Sequence, residues 1–303
     1  MTRTLKVMVT GSSGQVGSEV VRAVSTFAEV VTPSRNELSL NEPFKLEALL
    51  NAAKPDVIVN AVAWTAVDAA EEHREEAWRV NAELPKRLAE YARNAKILLI
   101  HYSTDYVYSG QGATPWKEDD AINPLSEYGK SKAAGDAHIA RLCGNYVIFR
   151  TSWVYSARGN NFLNTMLRLG RDRASLSVVN DQIGAPTSSR LIAQVTALAV
   201  YRYAMGQPLP SDVYHLVAKD EASWYEFAHH IFKLAREQGE QMTLRENGLS
   251  PILTSDYPTP AVRPLNSRLN VTKLEKAMGI TLPSWQNDLM CVMDELNNNK
   301  VAP

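Results

Sequence analysis

Short apolar runs alternate with amphipathic stretches through the first half of the chain. Five runs rich in valine, isoleucine and leucine have the length and content of buried strands: residues 5–10, 29–32, 57–63, 97–103 and 146–155. Four intervening stretches repeat their apolar positions at helical spacing: residues 19–26, 41–53, 71–94 and 126–142. This alternation predicts an α/β protein in which helices cover both faces of a parallel sheet.

A glycine-rich turn follows the first predicted strand, and it points to a ligand. Gly11, Gly14 and Gly17 are spaced three apart just before the first predicted helix. Gly11 permits a tight turn, Gly14 lets backbone N–H groups approach phosphate oxygens, and Gly17 lets the helix pack closely. The chain is therefore predicted to be a Rossmann-type doubly wound sheet that binds a dinucleotide cofactor, and Gln15 and Val16 belong to the same turn.

The end of the second predicted strand bears on the choice of cofactor. An NAD-selective site usually ends this strand with an acidic residue that binds the adenosine ribose hydroxyls. Ser34 and Arg35 follow the strand here, and arginine offers a planar fork to phosphate oxygens. A solvent-exposed arginine is the alternative. We expect NADPH to be preferred, with NADH possible.

Two later strands end in residues that should border the same ligand. In open parallel sheets, ligands bind outside the carboxyl ends of the strands. The third strand leads into Ala63, Trp64 and Thr65, and the fourth delivers Thr104 and Asp105. We expect the first three residues to lie beside the cofactor and the last two to lie beside the reacting group.

Tyr128 and Lys132 lie four residues apart in a predicted helix, and therefore on one face of it. Tyrosine has an ordinary pKa of about 10, which is too high for an efficient acid at neutral pH. An ammonium about 5–6 Å away, at an effective dielectric of ~20, would lower that pKa by roughly 2. With Thr104 holding a carbonyl oxygen, the pair predicts a hydride-transfer site in which Tyr128 donates the proton. An exposed helical pair is the alternative, and His101 is expected to be a core histidine rather than a catalyst.

The periodic pattern weakens beyond residue 155. We expect residues 1–155 to form the NAD(P)-binding domain, with a returning segment around 176–218, and residues 156–303 to form mainly a smaller, mixed α/β substrate-binding domain. Trp153 is expected to contact the substrate, with core packing as the alternative. Arg263 and Arg268 flank a proline-stiffened segment, and at least one of them is expected to bind a diphosphate.

Composition narrows the class of protein. The 303 residues carry a formal net charge of −1, so no electrostatic footprint for nucleic acid or an anionic membrane is present. Cys143 and Cys291 cannot form a disulfide framework. The first ten residues do not resemble a signal peptide, and no apolar run approaches the ~20 residues of a membrane span. A cytoplasmic enzyme is expected.

Several motifs together resemble a known family. T-G-S-S-G-Q-V-G, S-T-D-Y-V-Y, Y-G-K-S-K and F-R-T-S-W-V-Y are similar to segments of the extended short-chain dehydrogenases/reductases. The later segments Q-I-G-A-P-T and N-S-R-L-N narrow the resemblance to the dTDP-4-dehydrorhamnose reductases within that family. The resemblance implies an NAD(P)H-dependent reduction of a nucleotide-sugar ketone at C4.

The resemblance also implies roles for individual residues. Tyr128 would donate the proton, and Lys132 would lower the tyrosine pKa and bind the cofactor. Thr104 and Asp105 would contact the sugar, with Trp153 packed on it. Cofactor contacts would come from the turn and from the loop after the third strand: Gly14, Gln15, Val16, Ala63, Trp64 and Thr65. Leu40 is also expected to contact the cofactor, beside the position where relatives often place an acid near the adenine.

Alternatives within the resemblance remain. Dehydratases of this family follow the strand-end threonine with Asp-Glu, whereas Asp105 is followed by Tyr106, a poor base, so dehydration is not expected. A sugar-nucleotide epimerase is excluded less firmly. A non-catalytic subunit similar to the regulatory partner of methionine adenosyltransferase is the third reading, against which the intact Thr104, Tyr128 and Lys132 argue.

The resemblance raises the question of a metal ion. Some members are described as binding Mg²⁺ between subunits through glutamates. Glu19 and Glu295 could match two of these, but Arg190 stands at the third position. An arginine cannot ligate a cation. We therefore expect neither Mg²⁺ nor a metal-bridged dimer, although a homodimer of another kind is possible.

Overall fold

A six-stranded, all-parallel sheet forms the centre of the molecule. The computed structural model describes residues 4–38 and 43–301. The sheet contains β1 (Lys6–Thr10), β2 (Glu29–Val31), β3 (Val57–Asn60), β4 (Leu98–Thr104), β5 (Tyr146–Thr151) and β10 (Asp212–His215). The strand order is β2-β1-β3-β4-β5-β10. Because the order reverses between β1 and β3, a crevice opens at their carboxyl ends, where ligands of such sheets bind.

Helices cover both faces of this sheet. The first half of the chain supplies α1 (Gln15–Val24), α2 (Pro43–Ala53), α3 (Ala69–Glu72), α4 (Arg74–Trp78), α5 (Leu84–Ala95) and α6 (Glu127–Leu142). The second half supplies α7 (Phe162–Asp172), α8 (Ser189–Ala204), α9 (Trp224–Glu237), α10 (Thr272–Met278) and α11 (Trp285–Val301). The predicted α/β class and the doubly wound parallel sheet are confirmed.

Short strands outside the main sheet organise the second half. They are β6 (Val154–Tyr155), β7 (Leu176–Val179), β8 (Ile183–Gly184), β9 (Thr187–Ser188), β11 (Ala222–Ser223) and β12 (Leu249–Ile252). They pair two by two, as β6 with β9, β8 with β11 and β7 with β12. After this excursion the chain returns to the main sheet, since β10 pairs in parallel with β5.

Side chains of alternate strand residues enter two separate cores. Val7 and Val9 point to the face covered by α1 and α8, whereas Met8 points to the face covered by α2 and α5. Successive residues of a strand point to opposite faces, and both faces are buried here. This explains why the strands read as continuous apolar runs. The core under α1 also contains residues of α8, α9 and α11, so the two halves of the chain share it.

The helix predicted over residues 71–94 is not continuous, and that prediction is wrong. The chain forms α3, α4 and α5, with a π-helical turn over Arg79–Glu83 between the last two. Gly135 of α6 packs there: a Cβ on this residue would lie 2.2 Å from the carbonyl oxygen of Asn81. The widened turn and the missing side chain together allow α6 to approach closely.

The strand predicted over residues 146–155 is also interrupted. β5 ends at Thr151 and β6 begins at Val154. Trp153, between them, has a φ of +48°, a left-handed conformation that ends the strand geometry and turns this side chain. Backbone hydrogen bonds hold the loop over residues 110–124 in place. The N–H of Trp116 donates to the carbonyl of Arg268, and its carbonyl accepts from the N–H of Asn270.

Candidate active site

A cleft of about 900 Å³ lies at the carboxyl ends of the main strands. Ten of the residues predicted from the sequence line it: Gly14, Gln15, Val16, Ala63, Thr65, Thr104, Asp105, Tyr128, Lys132 and Trp153. Several others contribute from outside the predicted set: Ser13, Tyr102, Ser103, Thr151, Arg158 and Trp224. The glycine turn, the strand ends and the second half of the chain thus meet around one space.

Gly11 and Gly17 build the turn without lining the cleft. Gly11 has a φ of +69°, and a Cβ there would lie 2.8 Å from the backbone of Ala61. A Cβ on Gly17 would lie 2.1 Å from the carbonyl oxygen of Gly11. Gly14 is the N-cap residue of α1, and it has no side chain that could bond to the first N–H groups of the helix. The first N–H groups of α1 therefore face the cleft, an arrangement that favours phosphate oxygens.

Asn81 holds the loop that follows β3. Its side-chain oxygen accepts a hydrogen bond from the N–H of Trp64 at 2.9 Å, and its amide donates to the carbonyl of Trp64 at 3.1 Å. The same amide lies 3.1 Å from the hydroxyl of Ser131 on α6. This fixes Ala63 and Thr65 at the cleft wall. The indole of Trp64 turns elsewhere and donates to the carbonyl of Ala66 at 3.1 Å.

Tyr128, Lys132 and Thr104 come together as predicted. Ser126 caps α6 by accepting a bond from the N–H of Gly129 at 3.2 Å, and this start places Tyr128 and Lys132 on the inward face. Their exposed fractions are 9% and 1%, and that of Thr104 is 5%. An exposed helical pair is therefore excluded, and all three groups face the cleft.

The expected lowering of the tyrosine pKa is wrong. Burial raises the pKa of Tyr128 well above 10, and a hydrogen bond with Thr104 offsets only part of that. Lys132 does not oppose the rise, because its Nζ donates to the carbonyl of Tyr102 and lies 3.2 Å from Nε2 of His101. The phenol is consequently protonated at neutral pH, and in this buried environment it is a weaker acid than an ordinary tyrosine.

Burial also changes the lysine. It lowers the pKa of Lys132 to about 8, with the carboxylate of Asp136 opposing the change. Asp136 is itself held by Arg150 Nε at 3.1 Å and by the hydroxyl of Ser103 at 2.9 Å. An amine with a pKa near 8 can exchange its proton at physiological pH, whereas an ordinary lysine with a pKa near 10.4 cannot do so readily.

Asp105 is a buried carboxyl with an unused oxygen. Burial raises its pKa to about 6, against hydrogen bonds from Ser267 and Thr104 that lower it. Its Oδ1 accepts a bond from the hydroxyl of Thr104 at 3.1 Å. Its Oδ2 is buried and has no protein partner. Because an unpaired buried acceptor is costly, this oxygen is a natural contact for a ligand hydroxyl.

Trp153 forms part of an aromatic wall with a residue that the sequence did not reveal. Its ring stacks on Trp224 with centroids 3.6 Å apart and planes 11° from parallel. The indole N–H of Trp224 donates to Gln182 at 3.1 Å. A Cβ on Gly184 would lie 2.8 Å from the Trp153 ring. Flat apolar walls of this kind suit the face of a sugar ring or a base.

The two predicted arginines lie in different places. Arg263 Nη2 forms an ion pair with Asp68 at 2.6 Å, and its Nη1 is buried without a protein partner. Arg263 does not line the main cleft. Its positive charge acts on Tyr106 and lowers the pKa of that tyrosine, against the larger rise caused by burial. Arg268 pairs with Glu221 at 2.6 Å and lines a second cavity. The structure does not bring Arg268 to the cleft.

The turn that follows β2 contains an acid, Glu37, that sequence reasoning missed. Glu37 accepts hydrogen bonds from both the N–H of Ser34, at 2.7 Å, and its hydroxyl, at 2.6 Å. These bonds lower the pKa of Glu37. The hydroxyl of Ser34 is thereby engaged, and Arg35 is an exposed cation two positions before Glu37 in the chain. Leu40 lies outside the described residues.

The glutamates considered for a metal are bridged by a guanidinium. Arg22 Nη1 lies 3.1 Å from Glu19 and 3.4 Å from Glu295. The arginine supplies positive charge between these two carboxylates. Within residues 4–38 and 43–301, no group of three or more histidine, cysteine or acidic side chains could hold a metal ion. No helix in that part of the chain is long and apolar enough to cross a membrane.

Comparison with known proteins agrees with this geometry. The dTDP-4-dehydrorhamnose reductase of Escherichia coli K12 is 41% identical over 296 residues, which cover 96% of this chain and 98% of that protein. The enzyme of the same name from Burkholderia thailandensis is 42% identical over 297 residues, with 97% and 100% coverage.

Solved structures give the same result. A dTDP-4-dehydrorhamnose reductase from Clostridium acetobutylicum superposes with a TM-score of 0.88 at 34% identity, covering 96% of this chain and 99% of that one. The Bacillus anthracis enzyme in complex with NADP gives 0.87 at 29% identity, with 97% and 100% coverage. The family described as the RmlD substrate binding domain matches residues 5–298. The chain therefore belongs to this family of dTDP-4-dehydrorhamnose reductases.

Proposed function

We propose that this protein is an NADPH-preferring reductase of the C4 ketone of dTDP-4-dehydro-6-deoxy-L-mannose, giving dTDP-L-rhamnose. The observation that carries the proposal is the convergence of Thr104, Tyr128 and Lys132 on one cleft, opposite the glycine turn. Family membership supports the nucleotide-sugar substrate. The NADP complex of the Bacillus anthracis enzyme supports the cofactor.

The residues fit a bound dinucleotide. The start of α1 offers backbone N–H groups, and the side-chain-free Gly14 leaves room for close approach. When bound, NADPH supplies the hydride. Ala63 and Thr65, positioned through Asn81, would border it, and Lys132 would hold its ribose.

The chain's own residues perform the proton chemistry. The hydroxyl of Thr104, which donates to Asp105 in the structure, would turn its proton to the ketone oxygen and thereby polarise the carbonyl. Tyr128 is protonated at neutral pH, and it gives its proton to that oxygen as developing negative charge makes the oxygen the stronger base. Lys132, whose pKa is lowered to about 8, can then return a proton to the phenolate.

Substrate recognition is proposed for four further residues. The unpaired Oδ2 of Asp105 would accept a sugar hydroxyl, and Trp153 would pack on the ring. Arg263, with its unpaired Nη1, would reach the diphosphate. Arg268 would take part only if the nucleotide extends into the second cavity, where Glu221 holds this side chain.

A steady-state assay tests the proposal. The dTDP-4-ketosugar is supplied with NADPH and then with NADH, and the product is identified by NMR. We expect oxidation of the cofactor with formation of the 6-deoxy-L-mannose product, faster with NADPH. A C4-epimeric product would favour an epimerase or another reductase, and binding without turnover would favour a non-catalytic regulatory subunit.

Two further assignments accompany this function. We propose a homodimer that uses one face of α8, supported by the exposed Leu198, Tyr201 and Met205, which lie three and four residues apart. Light scattering should give twice the chain mass, and Tyr201→Glu should halve it.

We also place the enzyme in the cytoplasm, which the unpaired Cys143 and Cys291 support.

A further inference from the structure

A row of polar side chains crosses the buried sheet beneath the cleft. In the strand register, Thr10 of β1 is paired with Asn60 of β3, and Asn60 is paired with His101 of β4. None of the three side chains is more than 1% exposed. Burying polar groups between two apolar cores is costly unless each is hydrogen-bonded. We therefore expect these buried polar side chains to serve a function in addition to folding.

The three side chains form a chain of hydrogen bonds. The hydroxyl of Thr10 donates to Oδ1 of Asn60 at 2.7 Å, and the N–H of Val62 points to the same oxygen at 3.3 Å. A backbone N–H can only donate, so Oδ1 is the acceptor atom and the amide is oriented. Nδ2 of Asn60 then donates to Nδ1 of His101 at 3.0 Å.

This orientation determines the tautomer of His101. A ring nitrogen that accepts a hydrogen bond has no proton, so the proton of the neutral ring must be on Nε2. Burial and the nearby Lys132 both lower the pKa of His101 well below its usual value, which keeps the ring neutral. Nε2–H therefore faces Nζ of Lys132, 3.2 Å away.

The other charged groups around Lys132 are few. Asp136, one turn later on α6, favours the ammonium form, and Arg150 of β5 partly neutralises that carboxylate. Tyr128 lies one turn earlier on the helix and is protonated. From β4, His101 presents a donor. A donor facing a nitrogen favours the amine, which has a lone pair to accept with, over the ammonium, which has none.

We propose that His101, oriented by Asn60 and Thr10, is a positioning residue for Lys132. Its Nε2–H fixes the direction of the lysine head and weakens the lysine's hold on its proton. The row thereby links Thr10, the residue before the glycine turn, to Lys132. The inference rests on the proposed reductase function for its kinetic consequence, and on the hydrogen-bond geometry alone for its structural one.

The wild-type protein provides the first test, independent of substrate. In ¹⁵N–¹H correlation spectra through two-bond couplings, the ring of His101 should show the neutral, Nε2-protonated pattern throughout pH 5.5–9. An Nδ1-protonated ring, or a ring that titrates at an ordinary midpoint near 6.5, would overturn the proposal. This outcome does not depend on whether the enzyme reduces the dTDP-ketosugar.

Asn60→Asp provides the kinetic test. A carboxylate at this position can only accept, so it should draw the proton to Nδ1 and leave Nε2 as an acceptor for the ammonium. The kcat for NADPH and the dTDP-ketosugar is measured as a function of pH. The midpoint of its alkaline limb should move to a pH at least one unit higher, which corresponds to a tenfold higher affinity of Lys132 for its proton. An unmoved limb in the folded variant would contradict the proposal.

Thr196→Val is the matched control. It removes an equally buried hydrogen bond, that between Thr196 and the hydroxyl of Tyr102 at 2.8 Å, from the opposite face of β4. The control should lose a comparable amount of stability and keep the wild-type alkaline limb. If both variants move the limb equally, the effect is general destabilisation and the proposed role of His101 is refuted.

Discussion

Asp105 couples the stability of the fold to pH. Its folded-state pKa is raised to about 6, above the ordinary value of 3.8, so between these values the folded protein binds more protons than the unfolded chain. The free energy of unfolding must therefore fall as pH rises through that window. At pH 7 the ionised, buried carboxylate costs up to about 3 kcal/mol.

Asp105→Asn should remove this dependence. We expect the variant to be more stable than wild type at pH 7, by up to about 3 kcal/mol, and equally stable near pH 4. Urea unfolding at a series of pH values measures the difference. Asp119→Asn, an exposed change in the loop before α6, is the control and should show no such trend. A constant difference between pH 4 and 7 would contradict the assignment.

Glu37 should limit the preference for NADPH. Its carboxylate accepts a hydrogen bond from Ser34 just beyond β2, where the adenosine ribose of a bound dinucleotide belongs. A 2′-phosphate there would meet a negative charge, which Arg35 can only partly offset. Glu37→Gln should raise the ratio of kcat/KM for NADPH over NADH several-fold, and Arg35→Ala should lower it. Unchanged ratios in both variants would place the ribose elsewhere.

At the scale of elements, the crossing of α6 with the π-helical turn positions the cofactor loop. Asn81 reaches the loop from that turn, and Gly135 makes the close approach possible. Gly135→Ala should destabilise the fold by about 2 kcal/mol, because the added methyl group meets a backbone oxygen and the helix must shift. It should also raise the KM for NADPH. Thermal unfolding and cofactor titration measure these effects.

Gly144→Ala is the control for that prediction. A Cβ on Gly144 has no neighbour within 4 Å, so the change should alter stability by less than about 0.5 kcal/mol and leave cofactor binding unchanged. Equal effects of the two substitutions would show that loss of glycine flexibility, rather than helix packing, is responsible.

Local features of the site could be predicted from the sequence, and long-range ones could not. The glycine turn and the Tyr128–Lys132 pair depend on spacings of three and four residues, which a linear pattern displays. Trp224 stacks on Trp153 although the two are 71 positions apart in the chain, and no sequence pattern predicts that contact. The π-helical turn was missed because its apolar spacing continues that of the flanking helices. The phenol's pKa was mispredicted because burial, which outweighs the ammonium, is a property of the whole fold.

At the scale of the molecule, one core joins the two halves of the chain. Val20 and Val24 of α1 belong to the same buried cluster as Ile192 of α8 and Phe227 of α9. β10 completes the main sheet beside β5. The proposed division near residue 155 is therefore not a boundary between independent folding units.

A fragment of residues 1–155 should consequently not fold by itself. It would expose the apolar face of α1 and leave β5 as an unpaired edge. We expect no cooperative urea transition and weak near-ultraviolet circular dichroism, whereas the full chain should unfold in one step. A fragment with a sharp transition of its own would show that the Rossmann half is autonomous.

The central claim concerns Tyr128 as the proton donor in a hydride transfer to C4. The most direct measurement follows deuterium from [4-²H]NADPH into the dTDP-ketosugar, in wild type and in Tyr128→Phe. We predict one deuterium at C4 of the wild-type product, and at least a 100-fold slower reaction in the variant with NADPH still bound. A near-normal rate in the variant, or deuterium at another carbon, would contradict the account.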